Sequence, residues 1–98
     1  MASEIGWREM LLIGGALKAG LFQALAGKDY PARELANNLD YSPRSVGIVL
    51  EALKGLGYVK RTHSHYGLTK KSVRLFIDKE SEEYSVGSVM HSLRLIRN

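Results

Sequence analysis

The sequence predicts a mainly α domain with one small β-hairpin, on three observations. Apolar residues recur at helical spacing near both ends and in the middle of the chain. One central helix carries both a start and a stop signal, and two short β-prone runs follow it directly. With 98 residues, no Cys and 45% hydrophobic residues, the chain is expected to form one domain, 1–98, with a modest core. The lack of Cys excludes a disulfide scaffold and a thiolate zinc finger. The longest apolar run, Met10 to Ile13, falls far short of the roughly 18 residues of a membrane span. No secretory signal is visible, so no membrane partner and a cytoplasmic setting are expected.

The first helix is expected over residues 1–26, from about Ser3 to Ala26, with Gly20 ending or kinking it. Met10, Ile13, Leu17, Leu21 and Leu25 form its stripe, and Leu11, Leu12 and Phe22 widen the apolar surface beyond one face. A second buried face on so short a chain points to another subunit. Gly14-Gly15 weakens the helix by about 1 kcal/mol per residue, a cost that close approach of two backbones would justify. Gly27 to Pro31 reads as a loop. A second helix starts near Pro31, turns Leu35, Ala36 and Leu39 inward and stops near Asn37-Asn38. The third has Ser42 as N-cap, Pro43 at its first position, Val46, Val49, Leu50, Leu53 and Leu56 at helical spacing, and Gly57 at its end. Tyr58–Thr62 and Tyr66–Leu68 form the hairpin, with Ser64 and Gly67 favouring its turn. Thr69 caps a short helix through about Ile77, with Val73 and Phe76 or Ile77 inward. A last helix runs over 81–98 and lines up Val86, Val89, Met90, Leu93 and Ile96. Two helices joined by a tight turn and followed by a hairpin, over 31–77, make a winged helix-turn-helix.

Several segments resemble a known family. Ala16-Leu17-Lys18-Ala19-Gly20-Leu21-Phe22-Gln23-Ala24-Leu25, Glu34-Leu35-Ala36, Ser42-Pro43-Arg44-Ser45-Val46 with Leu50 to Gly57, and Tyr66-Gly67-Leu68-Thr69 are similar to the start of class I S-adenosylmethionine (SAM)-dependent O-methyltransferases. The resemblance covers residues 10–77. It implies a winged-helix dimerisation domain that precedes a Rossmann-like catalytic domain in a longer parent, with SAM as the parent's cofactor. It also implies that residues 81–98 are a connector toward that domain and that the protein is an intertwined homodimer. Small winged-helix transcription regulators share the leucine-rich third helix and the wing ending in Leu-Thr, so a free-standing DNA-binding regulator is the alternative.

The candidate residues divide along the same line. For dimerisation they are Trp7, Met10, Leu11 and Ile13 on the first helix and Val86, Val89, Met90 and Leu93 on the last, because Trp and Met are enriched in interfaces. For DNA they are Arg44 and Ser45 at the start of the third helix and Lys60, Arg61, His63, His65 and Lys70 on and beyond the wing. Residues 41–78 hold 7 basic and 2 acidic side chains, a local +5 against +4 for the whole chain, an asymmetry that suits phosphate backbones. Gly47, Ile48 and Ala52 give the third helix a smooth outer face better suited to protein, and Glu51 there would repel phosphates. His63-Ser64-His65 has neither a third ligand for a metal nor an acid for a catalytic triad. Gly14, Gly15 and Gly20 do not follow the G-x-G-x-x-G pattern. No catalytic residue, metal or cofactor site is expected on this chain.

Overall fold

Gly20 divides the first helical segment in two. In the computed structural model, which describes residues 6–97 and side chains as far as His91, α1 (Trp7–Ala19) ends where Gly20 enters the left-handed region at φ +84°. α2 (Leu21–Gly27) leaves at a 62° bend. The Gly20 amide donates to Leu17 O at 3.2 Å, so a residue without a Cβ penalty closes one helix and opens the next.

The expected loop before the second helix contains a two-residue strand, β1 (Tyr30–Pro31). α3 (Ala32–Leu39) runs past Asn37-Asn38 and closes on Asp40, at φ +62°. α4 (Pro43–Gly55) then begins on the predicted cap: the Ser45 amide donates to Ser42 Oγ at 3.3 Å, and Pro43 occupies the first turn. It ends in a Schellman closure, with the Tyr58 amide donating to Leu53 O at 2.9 Å and Gly57 to Lys54 O at 3.1 Å, Gly57 sitting at φ +88°.

The wing is β2 (Val59–Thr62) and β3 (His65–Leu68), antiparallel, with Lys60 opposite Gly67 and Arg61 opposite Tyr66. β1 pairs with the other edge of β3, Tyr30 opposite Tyr66, giving the order β1-β3-β2. The turn residues are His63, at φ +58°, and Ser64. Gly67 lies inside β3 and not in the turn. Its reason is packing, because an added Cβ would overlap the Asp29 carboxylate.

Thr69 caps α5 (Lys70–Ser72), accepting from the Ser72 amide at 3.3 Å. The chain continues through a wide π turn over Val73–Ile77. That extra residue per turn shifts the phase: Phe76 is buried, whereas Val73, expected inward, is 38% exposed. The last helix starts later than residue 81. Turns fill Ser81 to Ser85, and α6 (Val86–Arg97) begins once the Ser85 amide has reached Leu75 O at 2.7 Å.

These elements surround a single cluster in which Ile13, Phe22, Leu35, Leu50, Leu53 and Tyr58 are almost fully buried. Phe76 joins it with ring centroids 4.8 Å from Phe22 and 5.9 Å from Tyr58. α6 packs on α1. The architecture is mainly helical with a small three-stranded antiparallel sheet, in the element order of a winged helix-turn-helix. Among the described residues no single helix is long and apolar enough to cross a membrane.

Candidate functional site

Two surfaces hold the candidate residues, and they are built differently. The first is a cleft of about 560 Å³ between α1 and the start of α4. Leu11, Leu12, Gly15, Ala16 and Ala19 form one wall; Tyr41, Ser42, Ser45, Val46 and Val49 form the other, and Leu21 also lines it. α1 contributes because helical spacing splits it into an inward face, Ile13, Ala16 and Leu17, and an outward one, Trp7, Leu11 and Gly15. The Ser42 cap and the left-handed Asp40 set α4 beside that outward face. Trp7, one turn before Leu11 on α1, is not part of the lining; it is 59% exposed, with the Arg8 guanidinium 5.2 Å from its ring centre.

The proposed dimer residues therefore fall into groups. Trp7 is exposed, and Met10, Leu11, Val86 and Met90 are partly covered. Ile13 and Val89 are already buried in this chain's own core. Leu93 lies outside the residues with described side chains. Gly15, Ala19, Tyr41 and Val49 were not among the sequence candidates. The spacing Trp7, Leu11, Gly15 was the available signal, masked because glycine does not register as apolar patterning.

The second surface is the outer side of α4 with the wing. Glu51 is its centre. Tyr66 donates its hydroxyl to Glu51 Oε2 at 2.5 Å, Arg61 Nη1 reaches the same oxygen at 3.4 Å, and Lys54 Nζ lies 3.3 Å from Oε1. Arg61 also donates from Nε to His63 O at 2.8 Å and lies over the Tyr66 ring. The Tyr66 hydrogen bond, supported by Lys54 and Arg61, holds the Glu51 carboxyl below the usual range. The same bond, with burial, pushes the Tyr66 hydroxyl up. Arg61, a candidate for DNA, is thus paired with a carboxylate at the surface.

The other DNA candidates, Arg44, Ser45, Lys60, His63, His65 and Lys70, are likewise exposed. Asp29 lies against Gly67, the register partner of Lys60. Lys71 sits 4.2 Å over the Tyr58 ring and donates to Leu56 O at 3.4 Å. Ile48, 62% exposed, stands on the outer side of α4. Among the described residues, no three His, Cys, Asp or Glu side chains are grouped to hold a metal.

A third polar contact ties α1 to the wing base. Tyr58 donates its hydroxyl to Glu9 Oε2 at 2.7 Å, and burial, with the Glu9 carboxylate next, raises its ionisation well above the normal tyrosine range. Beneath it the fully buried Ser72 hydroxyl donates to Tyr58 O at 2.5 Å. No buried side-chain polar atom is left without a partner among the described residues.

Comparison with solved structures places this fold. No protein-family model matches the chain, and no curated protein sequence does. Among solved structures, PigF with SAH is similar at 26% identity and a TM-score of 0.73, over 92% of this chain and 26% of that one. An O-methyltransferase family protein from Burkholderia thailandensis is similar at 19% identity and a TM-score of 0.79, over 93% and 27%. CalO1, a methyltransferase in calicheamicin biosynthesis in its SAH-bound form, is similar at 19% identity and 0.71, over 91% and 26%. The fold is that found in the N-terminal part of such methyltransferases. This chain spans about a quarter of the length of the structures it matches. Among the described residues Gly14 and Gly15 lie inside α1 and Gly20 at its end, with no strand before them, so these glycines do not form the strand–glycine loop–helix arrangement of a dinucleotide site.

Proposed function

We propose that this chain is the homodimerisation domain of a small-molecule SAM-dependent O-methyltransferase of the cytoplasm. In this reading residues 1–98 form one unit, residues after α6 carry the methyl donor, and this unit brings two chains together. The observation that carries it is the apolar cleft between α1 and α4, open to solvent, with an exposed Trp7 one turn before Leu11 on the same helix, on a fold that covers most of this chain and the matching part of several methyltransferases. The DNA-binding alternative has less support, because Glu51 draws in Arg61 and Lys54 and leaves α4 an outer face with Ile48 at its middle.

Two measurements test the proposal. Reading the genomic frame beyond the codon for Asn98 should show, within the next ~100 residues, a strand followed by a glycine-rich loop; a stop codon there overturns the methyltransferase reading. Sedimentation equilibrium of the chain should give twice the 10.9 kDa mass of one copy. Leu11→Asp should return it to single copies with an unchanged far-UV spectrum. Leu11 is the choice because Val89→Asp would place a charge in the chain's own core.

A further inference from the structure

We infer, on the reading that two copies pair, that their α1 helices cross antiparallel about a two-fold axis at Leu11, so that the Trp7 indole of each fills the space above the partner's Gly15. Three observations on one helix lead there.

First, Trp7, Leu11 and Gly15 follow at i, i+4 and i+8 on the outward side of α1, with Trp7 and Gly15 exposed and Leu11 half-buried. Second, the fold of one chain gives Gly15 no purpose. Its backbone is helical, and a Cβ placed there would meet nothing within 4 Å. Alanine would fit and would strengthen the helix by about 1 kcal/mol; the same is true of Gly47 and Gly55 in α4 and Gly87 in α6, so Gly15 is set apart by its place on the outward side of α1 and in the cleft wall. Third, Gly15 lies in the wall of the cleft, between Leu11 and Ala19 and facing Tyr41 and Val49.

The occupant follows from the spacing. In a two-fold crossing centred on residue 11, each residue faces the one whose number brings the sum to 22. Residue 7 then faces residue 15, and residue 11 faces itself. Trp7 and Gly15 are about 12 Å apart along the axis at 1.5 Å per residue. The largest exposed side chain of α1 and its one bare outward position are therefore set where an isologous contact brings each to the other. A foreign helix would have to supply that match by chance, whereas a second copy carries it.

The absence of Cys from the chain makes a clean test. Trp7→Cys and Gly15→Cys chains, each made singly, are mixed and oxidised, and Leu11→Cys is oxidised alone. The proposal expects Leu11→Cys to link to itself and the mixture to give a crossed dimer. Neither Trp7→Cys nor Gly15→Cys alone should link, since a disulfide needs Cα atoms within about 7 Å. Gly15→Leu should raise the melting temperature of the single chain yet weaken pairing roughly tenfold or more, opposite signs that no folding defect produces.

A dimer in which Trp7→Cys links to itself, or in which Gly15→Leu pairs as the wild type does, overturns this seat and leaves the dimerisation reading standing. A wild-type chain that stays single at all concentrations removes both.

Discussion

Around Glu51, three donors from α4 and the wing converge on one carboxylate, and the positive charge of the chain's middle third is partly paired on the chain's own surface. Beside α1 the reverse holds: about 560 Å³ of apolar cleft stays open, and the same helix carries a tryptophan that the chain leaves 59% exposed. A side-chain ionic cluster in high dielectric contributes little net stability, so the Glu51 group is better understood as fixing the wing against α4. Uncovered apolar surface, by contrast, stands to gain on the order of 25 cal/mol per Å² when it is buried. The difference indicates where a partner would bind with most profit. It also shows how a helix-turn-helix can keep its shape while its outer helix is committed to its own wing.

The comparison can be broken from either side. The largest effect is expected where both regions rest on the same helix: Leu50→Ala, in the fully buried row of α4, should destabilise the chain by about 2–5 kcal/mol in chemical denaturation. Next comes Tyr58→Phe, which removes the bond to Glu9 that ties α1 to the wing base. It should cost about 1 kcal/mol near neutral pH.

The same variant sharpens the pH profile. Because the Tyr58 hydroxyl is raised in the folded chain, the folded state keeps its proton where the unfolded state loses it. The stability this provides is complete below the ordinary tyrosine value of about 10 and falls as pH climbs above it. Thermal melts between neutral and strongly alkaline pH should therefore show a flatter alkaline limb in Tyr58→Phe than in wild type. Glu51 acts in the opposite direction. Its carboxyl is lowered in the fold, so its contribution is present above the ordinary carboxylate range and is lost as pH falls through the lowered value. Tyr66→Phe, which removes the main cause, should flatten the acid limb. The smallest effect belongs to Lys60→Ala, an exposed change expected within about 0.5 kcal/mol of wild type.

The parts of this fold that sequence alone predicted are those whose signals are local and agree. α4 has its cap, its proline, its apolar spacing and its closing glycine within sixteen consecutive residues, Ser42 to Gly57. β1 was not foreseen, since two residues have no periodicity and Tyr30–Pro31 is a strand only because β3 lies beside it. Gly67 suggested a turn because its neighbour in space, Asp29, is far away in sequence. The π turn moved Val73 outward by a phase shift that residue types do not announce. The candidate site divides in the same manner. Trp7 was found by residue type and Leu11 by the widened apolar surface of its helix, whereas Gly15 was noted with Gly14 as a place for two backbones to approach but not as cleft lining, because its part in the cleft is the absence of a side chain. Arg61 reads as a phosphate contact until the fold brings Glu51 and Tyr66 to it across ten and five positions in sequence.

Sedimentation equilibrium on the wild-type chain and on Lys60→Ala/Arg61→Ala, side by side over a wide concentration range, tests the central contrast most directly. The account predicts a dimer with the same dissociation constant for both, because pairing belongs to the α1 cleft and not to the wing. Wild-type chains that remain single, or a dimer that the wing substitutions abolish, would contradict it.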